Sequence, residues 1–474
     1  MSTLTLDLGT SATKATLWSG AELISVARAP IPTEHPRPGW AEQDPQCWWR
    51  SVVDACGEVR ARAPAVYDGV DAVGFSAARE TFALFDVDLA PLGPGVLWSD
   101  RRAQESVDAL GDPAGFRART GVVLNAACCA AKLWWVATYA RDSFDAARWV
   151  LAPRDWIVAR LTGEVVTEPT LESRTGLSDL DGGRTGPVTA RMGDRLPPAI
   201  ATTATLPVRG GDDVAALALR PGVRVVPGGG DRACEVLGTG ADAATPMVSW
   251  GTTTNVSVPH PGPAAVLPGT AAVSRGALEG FVVEAGLSAS GSALAWLARL
   301  TGRDHGDLLA LAGRGSEPGA RGVVALPWLN GARAPFWRAD ANAAFLGLSS
   351  AHDVADLSRA VVEAVACDVT RCVELLAPDA RAIALAGGGT ADDLWRAVVT
   401  AATARDAIRR WHDESASVGA RMIIAAALEE DLELDDVNPV REVTAPEPSL
   451  VDALARVRAR SDRAAEAVLD LDLS

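Results

Sequence analysis

Two short runs of small, hydroxyl-bearing residues constrain this chain more than any other feature: Gly9-Thr10-Ser11 and Gly251-Thr252-Thr253-Thr254. Each lies between strand-like segments. Thr3 to Asp7 alternates, Leu8 to Ala12 turns and Thr13 to Trp18 resumes a β-rich run, while Met247 to Trp250 and Asn255 to Val258 flank the second turn. The two hairpins stand about half the chain apart, which predicts two related halves facing each other rather than a short-period solenoid. A chain of 474 residues also exceeds what one hydrophobic core organises. Two large units, divided as residues 1–235 and 236–474, or three smaller ones are therefore expected.

Between the hairpins the pattern alternates apolar strands with amphipathic helices, which is α/β. It predicts a strand at Ala72 to Phe75 and a helix entered at Asp44-Pro45 and running towards Arg62. Further helices are predicted over 290–300, 355–376, 394–404 and 450–469. The stretch 182–222 is rich in Gly, Pro and Thr and reads as a connection before a strand at Val223 to Val226.

Composition narrows the function. Hydrophobic residues at 48% and charged residues at 22% exclude collagen-like, disordered and coiled-coil chains. A formal charge of -16, with no basic run, argues against nucleic acid. The seven cysteines are scattered without a Cys-x-x-Cys spacing, so reduced, mostly buried thiols are expected. No segment has about 18 uninterrupted apolar residues, and the start shows no basic stretch leading into an apolar one, so a cytoplasmic protein without membrane contact is expected. Of 44 lysines and arginines only Lys14 and Lys132 are lysines, which singles out their surroundings.

Four clusters carry chemistry. Asp7-Leu8-Gly9-Thr10-Ser11 with Lys14 combines a strand-end carboxylate able to hold hydrated magnesium, a turn able to approach phosphate, and a point charge. A plain hairpin turn is the bland alternative. Asp231 follows the strand Val223 to Val226 through Pro227 and three glycines that read as a flexible link. It can serve as a general base or as the N-cap of a helix beginning near Ala233. Gly387-Gly388-Gly389-Thr390 follows the strand Ala382 to Ala386 and offers flat backbone to a nucleotide. It lacks the third glycine of a dinucleotide fingerprint. Arg79-Glu80-Thr81 and Trp98-Ser99-Asp100-Arg101-Arg102 can bind vicinal hydroxyls and cover a polyol, or form a surface ion pair over a core Trp.

Taken in order, these elements resemble the FGGY family of carbohydrate kinases, in the superfamily of actin, hexokinase and the heat-shock chaperone ATPases. The run Ala343-x-Phe345-x-Gly347-Leu348 followed by Asp356-Leu357-x-x-Ala360-Val361-Val362-Glu363 is similar to the family's second signature, and Lys132-Leu133-Trp134-Trp135-Val136 approximates the first. Gly39 to Pro45, Leu161 to Glu164, Leu326 to Gly331 and Ser415 to Ala420 add to the likeness. It implies a two-domain actin/hexokinase-like (ribonuclease H-like) fold with a central cleft, ATP and Mg2+ as cofactors, and a small sugar or polyol as substrate. A homodimer is compatible with it. By the same resemblance Asp7 holds magnesium through water, Asp231 is the base and also faces the metal, and Gly9, Thr10, Ser11, Lys14, Gly251, Thr252 and Thr253 face the phosphates. Gly387, Gly388, Gly389 and Thr390 lie against adenosine, and Arg79, Glu80, Trp98, Asp100, Asp231 and Asn255 line the sugar site.

The implied reaction is phosphorylation of a primary hydroxyl of a ketose such as xylulose, or of a polyol. Ala127 and Asn255 stand where glycerol kinases enclose glycerol with aromatics, Ala77-Ala78-Arg79 replaces the Gln-Met-His of xylulokinases, and Arg232 replaces the amide after the base. Glycerol kinase remains an alternative. So does a non-catalytic or assembly ATPase on the actin-like fold.

Overall fold

The computed structural model describes residues 1–251, 253–263, 271–338 and 340–471. Its framework is two twisted sheets built on the same plan. The first contains β1 (Ser2–Leu8), β2 (Ala12–Ser19), β3 (Glu22–Pro30), β4 (Val70–Ala77), β5 (Leu206–Pro207) and β6 (Arg224–Gly230), in the order β3-β2-β1-β4-β6-β5. The second contains β7 (Met247–Trp250), β8 (Thr254–His260), β9 (Ala272–Arg275), β10 (Phe281–Gly286), β11 (Ala382–Ala386), β12 (Asp406–Arg410) and β13 (Val440–Thr444), in the order β9-β10-β8-β7-β11-β12-β13. In both, an antiparallel hairpin (β1-β2, β7-β8) is joined by parallel strands on its other side (β4, then β11 and β12). The repeated turn of the sequence is thus a repeated sheet topology.

β1 is buried on both faces, with Leu4 and Leu6 fully enclosed on one and Thr3 and Thr5 on the other. Helices cover both sides. α1 (Pro45–Arg62) packs on β2 and β3, and starts where Asp44 accepts from Gln46 N at 2.9 Å with Pro45 in the first turn. α2 (Cys129–Tyr139) carries Lys132, and α3 (Asp231–Thr239) follows β6 directly. α4 (Val354–Leu376) is buried along most of its length at the centre of the second half. α5 (Asp393–Thr403) and α7 (Pro448–Leu469) lie beyond it, and the predicted helix near 290 spans Gly291–Thr301.

One helix departs from the half-by-half plan. α6 (Ser415–Ala427) comes late in the chain yet packs on β1, β4 and β6 of the first sheet and against α3. Ile423 and Ile424 share a buried cluster with Ala72, Val226 and Cys234. The two helices touch backbone to backbone: a Cβ at Gly238 would stand 2.0 Å from Ser415 O, and one at Gly419 would stand 1.9 Å from Cys234 O. The expected boundary at 235/236 falls inside α3, because this helix is part of the join between halves.

The glycines after Val226 are not a flexible link. β6 runs on through Gly230, and Gly228, at φ +70°, packs so closely on β4 that a Cβ would lie 1.8 Å from Phe75 O. Its counterpart Gly387, at φ +84°, meets Trp250 O at 2.3 Å in the same sense. The 182–222 connection contains short pieces of structure, including a helix at Pro187–Met192 and the edge strand β5. All seven cysteines are free, and six are buried. No described helix is long and apolar enough to cross a membrane.

Gly419→Ala is expected to force α3 and α6 apart and cost roughly 1–3 kcal/mol, the usual range for overpacking a tight contact. A urea midpoint equal to that of the parent chain would show that the backbone contact is dispensable.

Candidate active site

Strand register builds the first part of the site. Asp7 on β1 pairs with Lys14 on β2 and with Ser76 on β4, and Lys14 pairs with Arg28 on β3. The row therefore runs Ser76, Asp7, Lys14, Arg28 beside the Gly9 turn. Ser76 Oγ donates to Asp7 Oδ1 at 2.9 Å, and Lys14 Nζ lies 4.0 Å from Asp7 Oδ2 while also pairing with Glu414, just before α6. Burial pushes the Asp7 carboxyl up to about 6, with the Lys14 charge opposing and the nearby carboxylates of Asp231 and Glu235 adding to the rise. Those two groups tie Asp7 to α3. Glu235 in turn accepts from Ser249 Oγ of β7 at 3.4 Å, so α3 links the ends of β1 and β7.

Asp231 opens α3, with Gly230 in the N-cap position, so it does not cap the helix. Its Oδ1 accepts from Arg232 N at 2.6 Å and from Arg79 Nε at 2.9 Å, and no described residue donates to Oδ2. Arg79 turns its other face to Glu284 of β10, donating through Nη1 at 2.8 Å and Nη2 at 3.0 Å. This fork comes from the first half and grips a carboxylate of the second. Although buried, Glu284 is held well below the usual carboxylate range by Arg79, Arg174 and Arg232. Gly230 allows the arrangement, since a Cβ there would lie 2.8 Å from the Arg79 stem.

Arg79 and Glu80 do not pair with each other. Glu80, at φ +61°, accepts from Arg174 Nη2 at 3.0 Å. Lys132 is fully buried and donates to the carbonyls of Glu80 at 2.9 Å and Leu97 at 2.7 Å. Burial pushes its ammonium down, and its hydrogen bonds brace the backbone on which Glu80 and Trp98 stand. Trp98 is partly exposed, and its indole donates to Thr10 Oγ1 at 2.8 Å, joining the expected sugar platform to the Gly9 turn. Asp100 does not face the cleft as expected. It is wholly buried, and both oxygens are committed to Ala41 N at 2.7 Å, Arg102 N at 2.9 Å and the Arg102 guanidinium. It braces its loop.

Across the cleft, Gly251 N donates to Thr253 O at 3.1 Å and Gly251 O accepts from Ser290 Oγ at 2.9 Å. Thr252 lies outside the described residues. Asn255 on β8 donates to Glu284 Oε2 at 3.4 Å and accepts from Ser257 Oγ at 2.7 Å. Gly387 turns the chain into a 3-10 helix, Gly388–Ala391, whose Thr390 Oγ1 donates to Gly387 O at 2.7 Å. Gly388 has open space where a Cβ would be, while Gly389 packs on Trp250. The indole nitrogen of Trp250 and the hydroxyl of Thr254 are buried without a hydrogen-bond partner among the described residues.

Residue patterns alone miss Glu284, Arg174 and Glu235. The signal for Glu284 is a charged residue in the otherwise apolar run Phe281-Val282-Val283-Glu284-Ala285, a placement rare without a partner. Arg174 carries no such mark. The cavity lined by Asp88, Arg160, Arg209 and Asp213 shares no residue with this site, whereas a much smaller one is lined by Gly9, Thr10 and Thr81.

Residues 2–238 match the N-terminal domain of the FGGY family of carbohydrate kinases, and residues 247–428 match its C-terminal domain. This chain belongs to that family. A xylulose kinase of Klebsiella pneumoniae is 30% identical over 406 residues, 82% of each chain. A glycerol kinase of Gloeobacter violaceus is 30% identical over 397 residues, 79% of this chain and 77% of its own. The structure of a xyloylose kinase from Brucella ovis superposes with a TM-score of 0.91 at 26% identity, covering 100% of both chains. The FGGY kinase described here is thus a phosphotransferase of the two-domain fold that the resemblance implied, and its family implies ATP as the phosphoryl donor. The assembly-ATPase alternative is set aside.

Two tests follow from the geometry. Between the ordinary carboxylate value and about pH 6, folded Asp7 keeps a proton that the unfolded chain has lost. Stability of the nucleotide-free protein therefore falls as pH rises through that window, and the buried charge costs up to about 3 kcal/mol above it. Asp7→Asn is expected to raise the melting temperature at pH 8 and leave it nearly unchanged at pH 4. An equal effect at both values would refute the assigned titration. Lys132→Met should raise the acceptor KM about tenfold through two orphaned carbonyls, at about 1 kcal/mol or more, without moving the KM for ATP. An unchanged acceptor KM would show that the brace is not needed.

Proposed function

We propose that this FGGY kinase transfers the γ-phosphoryl group of ATP to a primary hydroxyl of a small sugar or polyol, with Asp231 as the general base. The observation carrying this reading is the asymmetry of the Asp231 carboxylate. One oxygen is pinned by Arg79 and the backbone of Arg232, which leaves the uncommitted Oδ2 to take a proton. Such proton removal is worth about 10²- to 10⁴-fold in rate.

Phosphoryl transfer through a loose transition state demands alignment and charge compensation more than covalent help. Lys14 and the turns at Gly9-Thr10-Ser11 and Gly251-Thr252-Thr253 supply donors to the triphosphate in this reading, and Gly387 to Thr390 receive adenosine. ATP would draw Lys14 away from Glu414. Asp7 and Asp231 suit a divalent cation: Asp7 is a buried carboxylate with a strong cost of ionisation and one lysine at 4.0 Å. No group of three or more metal-ligating side chains converges among the described residues. A magnesium ion held there would keep water and phosphate oxygens as ligands and offset charge on the transferring group. Arg79, Glu80, Trp98 and Asn255 form the acceptor side, with Asp100 behind the loop. This side keeps Trp98 but carries Ala127 and Asn255 where glycerol kinases enclose glycerol with further aromatics, which favours an acceptor longer than glycerol.

Asp231→Asn should lower kcat by about 10²- to 10⁴-fold while ATP binding, read by calorimetry, stays at the parent value. Turnover above about one percent of the parent would remove Asp231 from the role of base.

A further inference from the structure

The acceptor side of the cleft holds more hydrogen-bond donors than its own acidic groups can use. Glu284 serves three arginines: the Arg79 fork, Arg174 Nη1 at 3.3 Å and Arg232 Nε at 3.9 Å. Arg174 gives Nη2 to Glu80 and holds Nη1 to Glu284 as an ion pair only, so among the described residues its buried Nε and Nη1 make no hydrogen bond. Arg232 gives Nη1 to Glu235, which leaves its Nε buried and unsatisfied. Arg333 arrives from the loop after Leu326-Pro327-Trp328-Leu329-Asn330-Gly331, and its Nη2 would stand 2.9 Å from a Cβ at Gly286. It faces Glu80, Glu284, Arg174 and Arg101, yet meets no carboxylate within ion-pair distance among the described residues, and it leans on the Trp337 ring at 5.6 Å. Burial pushes its guanidinium down.

Arg333 is a half-buried cation without a paired anion among the described residues, and with the buried, unbonded donors of Arg174 and Arg232 it points to a missing partner that accepts without donating. A hydroxyl both accepts and donates, so a neutral sugar needs free acceptors as well. Only Glu80 Oε1 and Asp231 Oδ2 are uncommitted among the described carboxylates of this cluster, and the second faces the reacting hydroxyl. A carboxylate accepts only, and arginine meets it with paired donors.

We propose that the acceptor is a polyhydroxy monocarboxylate, an aldonate-type sugar acid, whose carboxylate is received by Arg333 together with Arg174 and Arg232 while its far hydroxyl lies at Asp231. This rests on the kinase reading given above. The acceptor oxygen bonds to the γ-phosphorus, the bond from that phosphorus to the β,γ-bridging oxygen breaks, the hydroxyl proton passes to Asp231, and ADP leaves.

The test is a coupled ADP-release assay of the full chain with D-gluconate, D-xylonate and D-erythronate set against D-sorbitol, xylitol, D-xylulose, erythritol and glycerol. One acid is expected to exceed the neutral compound of its length by about a hundredfold in kcat/KM, and Arg333→Met to remove about as much without changing the KM for ATP. Arg333→Lys should recover part of the loss, and calorimetry of the acid on the unmutated protein keeps the test intact if the variants do not fold. A neutral compound preferred over every acid overturns the carboxylate site and leaves the kinase reading standing. An Arg333→Met effect on ATP alone assigns the guanidinium to nucleotide phosphate and overturns it too. Release of ADP with neither series, from a protein that binds ATP, brings down the kinase reading itself.

Discussion

The guanidinium of Arg79 is the interaction on which the site depends. Its Nε holds Asp231 and its terminal nitrogens hold Glu284, so one planar group orients the candidate base and ties the first half of the chain to the second. Removing it would free Asp231 from its fixed direction and strand Glu284 as a buried carboxylate with weaker partners. Breaking such a pair from one side costs roughly 3–5 kcal/mol. The geometry is possible only because Gly230 leaves room for the Arg79 stem. Backbone sterics, ion pairing and the direction of a proton acceptor are here one problem.

The two sheets show how a repeated plan diverges. Gly228 against Phe75 and Gly387 against Trp250 are the same close contact between a parallel strand and its neighbour. After the first contact the chain enters α3 and places Asp231 beside Arg79. After the second it makes a short 3-10 turn with open space at Gly388. Equivalent backbone crossings thus deliver a carboxylate in one half and a flat, side-chain-free surface in the other. α6 locks the halves together by lying on the first sheet although it belongs to the later part of the sequence.

Features set by short-range chemistry were legible before the structure. The hairpin turns, the Asp44-Pro45 helix start and the strand before Asp231 all follow from turn residues, capping and period. The FGGY resemblance then supplied the architecture. What could not be read was pairing over long sequence separations: Glu284 meeting Arg79, Glu80 meeting Arg174, and Lys132 meeting two carbonyls. Asp100 looked available because Arg102 is a local partner but nothing local shows that Ala41, 59 residues earlier, takes the other oxygen. The glycines before Asp231 read as pliable for a similar reason, since a glycine demanded by a neighbouring strand has the same letter as one demanded by motion.

The scarcity of lysine gives the molecule a built-in reporter. Lys132 is sealed in the interior, whereas the Lys14 side chain keeps 29% of its surface open beside the Gly9 turn. Amine-acylating reagents therefore find one accessible ε-amino group among the described residues, and it stands where the proposed function puts the triphosphate. Nucleotide occupancy should be readable as protection of a single acylation site, without a label engineered into the chain.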